Sequence, residues 1–85
     1  MKVMVKNLMG ENVIMRYVAP GLVYIAHAGC VVTAQPQYIT TNRRAGLLDV
    51  TDPARAVVAS IGVMSEEAVQ QIEAWLLAVE KERRP

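Results

Sequence analysis

His27 and Cys30 are the two side chains in this sequence whose types and spacing are typical of metal binding or nucleophilic catalysis. The spacing His-x-x-Cys would supply two of the four ligands that a structural zinc ion normally takes. The sequence contains no other histidine or cysteine, so a zinc site would need distant carboxylates or a second subunit. We therefore predict no metal site, and we expect Cys30 to be a small buried residue.

Catalysis by this pair would need a third group to orient the base and a donor pocket for the oxyanion. The neighbouring residues Ala26 to Val31 supply neither, and on one continuous strand His27 and Cys30 would point to opposite faces. The glycines do not form a phosphate-binding loop, because they are isolated at 10, 21, 29, 46 and 62. We predict that the chain is not an enzyme and takes no cofactor.

The length of 85 residues allows one small domain, spanning residues 1–85. Of these residues 53% are hydrophobic and none is phenylalanine, so the core must be built mainly from valine, isoleucine, leucine, methionine and alanine. Small domains with an apolar surplus often cover part of it in a subunit interface. We therefore expect a protein that associates with itself, as a homodimer or a larger assembly.

The net charge of +1 argues against a strongly electrostatic partner, but the charges are unevenly distributed. Residues 1–44 carry five basic side chains and one acidic side chain, whereas residues 45–85 carry four basic and seven acidic ones. Two interpretations stay open: a basic face on the N-terminal half, or ordinary solvated charges in loops and at strand ends.

The sequence indicates a cytoplasmic protein without a membrane span. The apolar run after Lys2 stops at Lys6, far short of a secretory signal, and a single cysteine fits a reducing compartment. Residues 17–34 form an uncharged stretch close to the length of a transmembrane helix. Pro20 and Gly21 interrupt that stretch, as does Gly29, so turns and strands are the better interpretation.

The N-terminal half has the alternation and β-branched content of strands. We predict strands at 2–6, 13–18 and 22–27, with turns at 7–12 and at Pro20-Gly21. Residues 30–34 resume the pattern, and Gly29 marks either a bulge in one long strand or a turn between two. A short strand at 38–41 and a short strand or irregular segment at 47–50 follow.

Two helices are predicted at the C-terminal end. Asp52 and Pro53 are an N-cap and first-turn pair, and apolar residues at 54, 57, 58 and 61 follow the helical period, which predicts a helix at about 53–61. Ser65 is a good N-cap for a longer helix at about 66–83. That helix has one apolar stripe, made by Val69, Ile72, Leu76 and Val79 and widened by Ala68 and Trp75. The predicted fold class is α+β: an antiparallel sheet of three to four strands covered by two C-terminal helices.

The segment ASIGVMSEEAVQQI is similar to the Gly-hydrophobic-Ser start of the recognition helix in many bacterial helix-turn-helix regulators. The resemblance implies a helix pair over 54–78 that binds nucleic acid, with Gln70 and Gln71 reading bases. The competing interpretation is a helical hairpin packed on a sheet. A second possible nucleic-acid site is the loop containing Arg43 and Arg44.

Tyrosines on the strands offer one more nucleic-acid hypothesis. Together with nearby arginines, they could form an aromatic and basic sheet surface for a single strand; the residues are Tyr17, Tyr24, Tyr38, Arg16, Arg43 and Arg44. Tyrosines on strands are also common as half-buried packing residues.

The function that these patterns favour is a non-catalytic protein-interaction or assembly module that binds itself or another protein. Trp75 is the candidate anchor, because buried aromatic residues often dominate interfaces. Val57, Val58 and Leu76 are the other predicted contacts. The alternative is a nucleic-acid-binding regulator that uses the helix pair or the Arg43-Arg44 loop.

Overall fold

Seven antiparallel strands followed by an α-helix form the fold, which the computed structural model describes over residues 1–83. A first sheet contains β1 (Lys2–Lys6), β2 (Asn12–Val18), β3 (Leu22–His27) and β4 (Cys30–Ala34), paired in chain order. A second sheet contains β5 (Ile39–Asn42), β6 (Leu47–Asp52) and β7 (Val57–Ile61), also in chain order. The helix α1 spans Glu66–Arg83, and 3-10 turns occupy Pro36–Tyr38 and Pro53–Arg55. The α+β class and the antiparallel pairing are confirmed.

The predicted helix at 53–61 is wrong. Asp52 does cap a helical turn, because its side chain accepts from the Ala54 N–H, but the turn is a single 3-10 turn. It ends at Ala56, which adopts a left-handed conformation, and residues 57–61 then pair with β6 as β7. The segment fits two periods: the apolar residues at 54, 57, 58 and 61 follow a helical one, and those at 57, 59 and 61 follow a period of two. The β-branched valines favour the strand. A second sheet therefore replaces the first of the two predicted helices.

The β3–β4 connection is a two-residue turn rather than a bulge. Ala28 and Gly29 both have positive φ, at 50° and 79°, as the type I′ hairpin turn requires. His27 and Cys30 are therefore directly opposite each other across the hairpin and share one face of the sheet. Placement on opposite faces would have required one continuous strand, which the turn excludes. The expected burial of Cys30 is wrong, because Cys30 is exposed.

One core lies between the inner faces of the two sheets and the apolar side of α1. Its fully buried members come from every layer and include Met15, Ile25, Leu48, Ile72 and Val79. The helix begins as predicted, with the Ala68 N–H donating to the Ser65 hydroxyl. It lies along β1 and also contacts β5. Both α1 and the second sheet pack on the core side of the first sheet. The opposite face of the first sheet is therefore left open.

Candidate interaction surface

The uncovered surface of the first sheet, here called the outer face, consists of the side chains that alternate with the core residues of β1 to β4. Strand register arranges them in rows that run across the strands. The middle row is apolar on all four strands, and we call it the apolar row; its members are Met4, Ile14, Ala26 and Val31.

The apolar row is unusual because the solvent side of an antiparallel sheet normally carries polar side chains. Met4 is 55% exposed and Val31 is 64% exposed, while Ile14 and Ala26 between them are partly buried by their neighbours. Each member directly faces the next across its strand pair, so the four side chains form one contiguous patch. A patch of this kind is typical of a binding surface.

Polar and basic side chains border the apolar row on both sides. One flanking row contains Lys2, Arg16, Tyr24 and Thr33, and the other contains Lys6 and Asn12. The Arg16 guanidinium lies over the Tyr24 ring at 5.9 Å from its centroid, and the Lys6 ammonium donates to the Asn12 side chain at 3.0 Å. Among the described residues, the strand positions of the outer face carry three cations and no acidic side chain.

A shallow depression of about 270 Å³ lies where the apolar row meets the flanking row that contains Lys2 and Arg16. Its walls are Lys2, Ile14, Arg16, Tyr24, Ala26 and Val31. The surface thus has an apolar centre with a polar and charged border, which is the anatomy of a protein interface.

A second depression, of about 310 Å³, extends the outer face around the end of the sheet. It joins Ile14 and Ala26 of the apolar row to Glu11 and His27. His27 is partly buried, with 20% of its side chain exposed, and its Nε2 atom lies 3.7 Å from the Glu11 carboxylate. The Asn7 side chain is also within hydrogen-bonding distance of His27 Nε2, at 3.1 Å.

The four side chains predicted to make protein contacts are not together in one patch. Trp75 lies in the core and is only 8% exposed, and Val57 and Leu76 are partly buried against the core. Val58 is 83% exposed on the solvent side of β7. That these four residues make interface contacts stays a prediction. The burial of Trp75 in the core does not favour it.

The candidate nucleic-acid residues are also separated. The helix pair over 54–78 does not exist, because its first member is β7, although Gln70 and Gln71 are exposed on α1. Arg43 and Arg44 are both exposed, and Arg43 contacts the Glu73 carboxylate at 2.7 Å. Of the three tyrosines, only Tyr24 belongs to the outer face.

His27 and Cys30 lie side by side, but residues 1–83 contain no group of three or more histidine, cysteine or acidic side chains able to hold a metal ion. The Cys30 thiol is free and exposed.

The residues of the apolar row were not singled out in the sequence. A signal for them exists in the strands themselves, where Ile14 lies between the core residues Val13 and Met15. When a strand is apolar on both faces, the face that does not line the core is either covered by another element or available to a partner. What the sequence does not give is the register that aligns Ile14 with Met4 and Ala26.

No protein-family model, curated protein or solved structure matches the chain. Within the part of the chain that the structure describes, none of the helical residues form a segment long and apolar enough to cross a membrane. Function must therefore be argued from the surface itself.

Proposed function

We propose that the chain is a non-catalytic interaction module that associates with itself through the outer face of the first sheet. The observation that supports this proposal is the apolar row, which spans all four strands with Met4 and Val31 more than half exposed. Two such sheets can pack face to face about 10 Å apart, with the two apolar rows forming the centre of a sandwich.

The second copy is favoured because it offers the same contiguous apolar row in an isologous arrangement. Burying each large apolar side chain of the row contributes on the order of 1 kcal/mol or more. The cations of the two outer faces oppose association, but exposed charge pairs contribute only about 0.2–1 kcal/mol each. Apolar burial should therefore outweigh the repulsion, and added salt should strengthen self-association by screening it.

Sedimentation equilibrium at about 0.05 M and about 0.5 M NaCl tests this proposal through the dimer dissociation constant. Val31→Lys adds a fourth cation to the outer face, within the apolar row itself, and should weaken association about tenfold or more. Val58→Lys is the matched control, because Val58 is a still more exposed valine, at 83% against 64% for Val31, at a strand position on the second sheet. A monomer at all concentrations, or loss of association in the Val58 variant alone, would reject the outer face as the interface.

A second candidate function, binding of single-stranded nucleic acid, is supported by the Arg16–Tyr24 pair and by the lack of acidic side chains at strand positions of the outer face within the described chain. Bases can stack on such a platform while Lys2 and Lys6 contact phosphates. Two phosphate contacts predict a slope of log affinity against log salt of about −1.4. Salt therefore separates the two functions, because it weakens binding to a polyanion and strengthens self-association.

Localisation in the cytoplasm belongs to the same proposal. The Cys30 thiol is free and solvent-exposed, so it would be prone to oxidation outside a reducing compartment such as the cytoplasm. Fractionation of cells that express the tagged protein tests this placement, which is wrong if the protein is recovered outside the cytosolic fraction.

A further inference from the structure

Asn7 fixes the chemistry of the loop at the end of the outer face. It is 6% exposed, and its Oδ1 atom accepts from the backbone N–H groups of Met9 and Glu11 at 3.0 and 2.9 Å. Its Nδ2 atom donates to Glu11 Oε1 at 2.9 Å and lies 3.1 Å from His27 Nε2. Rotating the amide by 180° would break both backbone hydrogen bonds, so the NH₂ group must face His27.

This orientation requires His27 Nε2 to be a hydrogen-bond acceptor, which is the neutral imidazole with its proton on Nδ1. A proton added at Nε2 would face the Asn7 NH₂ group, donor against donor, and this hydrogen bond would be lost. The other titratable groups beside the ring are Glu11, at 3.7 Å from Nε2, and Cys30, opposite on β4. On the other side of His27, the β2 residue directly opposite is the apolar Val13.

The position of His27 connects this protonation to the outer face. The depression that contains His27 and Glu11 also contains Ile14 and Ala26, the two central members of the apolar row. Register places the His27 side chain on the core side of β3, opposite Val13, so His27 reaches the outer face only through this depression at the end of the sheet. Loss of the Asn7–His27 hydrogen bond would loosen the loop of residues 7–11, which lines this depression through Glu11 and carries Leu8 and Met9 at 68% and 85% exposure.

We infer that His27 and Asn7 make self-association sensitive to pH, with the associated state favoured when His27 is neutral and weakened when it is protonated. The inference rests on the proposed function. It adds the regulation of that surface: acid breaks the hydrogen bond that orders the loop at its edge.

The experiment compares the dimer dissociation constant at about pH 7.5 and about pH 5.5, a range in which histidine side chains commonly titrate. For the unmodified chain we expect weakening by about three- to tenfold at the lower pH. His27→Gln is the matched variant, because its amide oxygen can accept from Asn7 but does not titrate. Its dissociation constant should be the same at both pH values.

A dissociation constant that does not change with pH in the unmodified chain would overturn the inference and leave the proposed function intact. An equal weakening in the His27→Gln variant would also overturn it, because another group would then be responsible. No association at either pH would reject both. Nitrogen NMR of the His27 ring gives a separate readout: a proton on Nδ1 at about pH 7.5 supports the Asn7 contact, and a proton on Nε2 contradicts it.

Discussion

The Arg43 guanidinium and the Glu73 carboxylate join the β5–β6 loop to the middle of α1. Arg43 Nε donates to Glu73 Oε1 at 2.8 Å, and Nη2 lies 2.7 Å from the same oxygen. The Thr41 hydroxyl donates to the other oxygen, Oε2, at 2.7 Å. Both carboxylate oxygens are therefore used inside the fold, and Arg43 makes this contact while remaining, like Arg44, exposed.

This contact gives the fold a pH dependence. The hydrogen bonds from Arg43 and Thr41 lower the pKa of Glu73 below its ordinary value of 4.5, and the carboxylate raises the pKa of Arg43. A lowered carboxyl pKa stabilises the fold above the unfolded pKa, and this contribution is lost as the pH falls below it. The melting temperature should therefore decrease more steeply between about pH 6 and pH 3 for the unmodified chain than for Glu73→Gln.

The control for this prediction is Arg44→Ala, beside Arg43 in the same loop. It should leave the pH profile of the melting temperature unchanged, whereas Arg43→Ala should flatten it as Glu73→Gln does. Identical profiles in all four proteins would show that the Arg43–Glu73 contact does not contribute to stability in solution.

Asp52 is a second carboxylate with a structural role, and it is completely buried. It accepts from the Gln35 and Ala54 N–H groups at 3.0 Å each, and its Oδ2 atom lies 3.9 Å from Arg55 Nε. Asp52→Ala leaves two backbone donors without their acceptor and should lower the free energy of unfolding by about 3 kcal/mol, measured by urea denaturation.

Asp49 on the same strand is the control for Asp52. It accepts one hydrogen bond, from the Ser60 hydroxyl at 2.5 Å, at an exposed site. Asp49→Ala should therefore cost no more than about 1 kcal/mol. Equal losses for the two alanine variants would mean that the Asp52 contacts do not hold the segment around Gln35 to β6.

Local signals in the sequence were enough to predict the strands of the first sheet and the long helix, because each is set by neighbours in the chain. Ser65 caps α1, and the Ala28-Gly29 step supplies the two positive φ angles of a hairpin turn. The segment 57–61 fits a helical period and a strand period equally well. Pairing with β6 decides between them, and that contact cannot be read from the segment alone.

The outer face was less predictable for the same reason. Met4, Ile14, Ala26 and Val31 lie on four different strands, and only the register of three hairpins brings them into one row. A one-residue slip in any hairpin would move its strand's side chain to the core. The charge asymmetry of residues 1–44 left a basic face and ordinary solvated charges both open, and the structure places Lys2, Lys6 and Arg16 on the outer face.

Trp75 provides a prediction that separates packing from interface anchoring. Its ring is 8% exposed, and among residues 1–83 no group accepts a hydrogen bond from its buried Nε1–H. Trp75→Phe removes an unpartnered donor along with some volume, so the stability should change by no more than about 1 kcal/mol. Trp75→Ala should cost about 3–5 kcal/mol by leaving a cavity. If Trp75→Phe folds normally but abolishes self-association, Trp75 is an interface anchor after all.

Gly46 is placed where the chain from β7 to α1 crosses the β5–β6 loop. The Met64 N–H donates to the Gly46 carbonyl at 2.8 Å, and a Cβ atom on Gly46 would collide with the Met64 carbonyl oxygen and the Val63 side chain. Its φ of 69° adds a backbone cost of about 1–2 kcal/mol for any L side chain.

Gly10→Ala isolates that backbone cost, because Gly10 has a φ of 81° with nothing within 4 Å of the added Cβ. Gly46→Ala should therefore lower the free energy of unfolding by at least about 2 kcal/mol more than Gly10→Ala does. Equal losses in urea denaturation would show that the β7–α1 connection can move away from Gly46 at little cost.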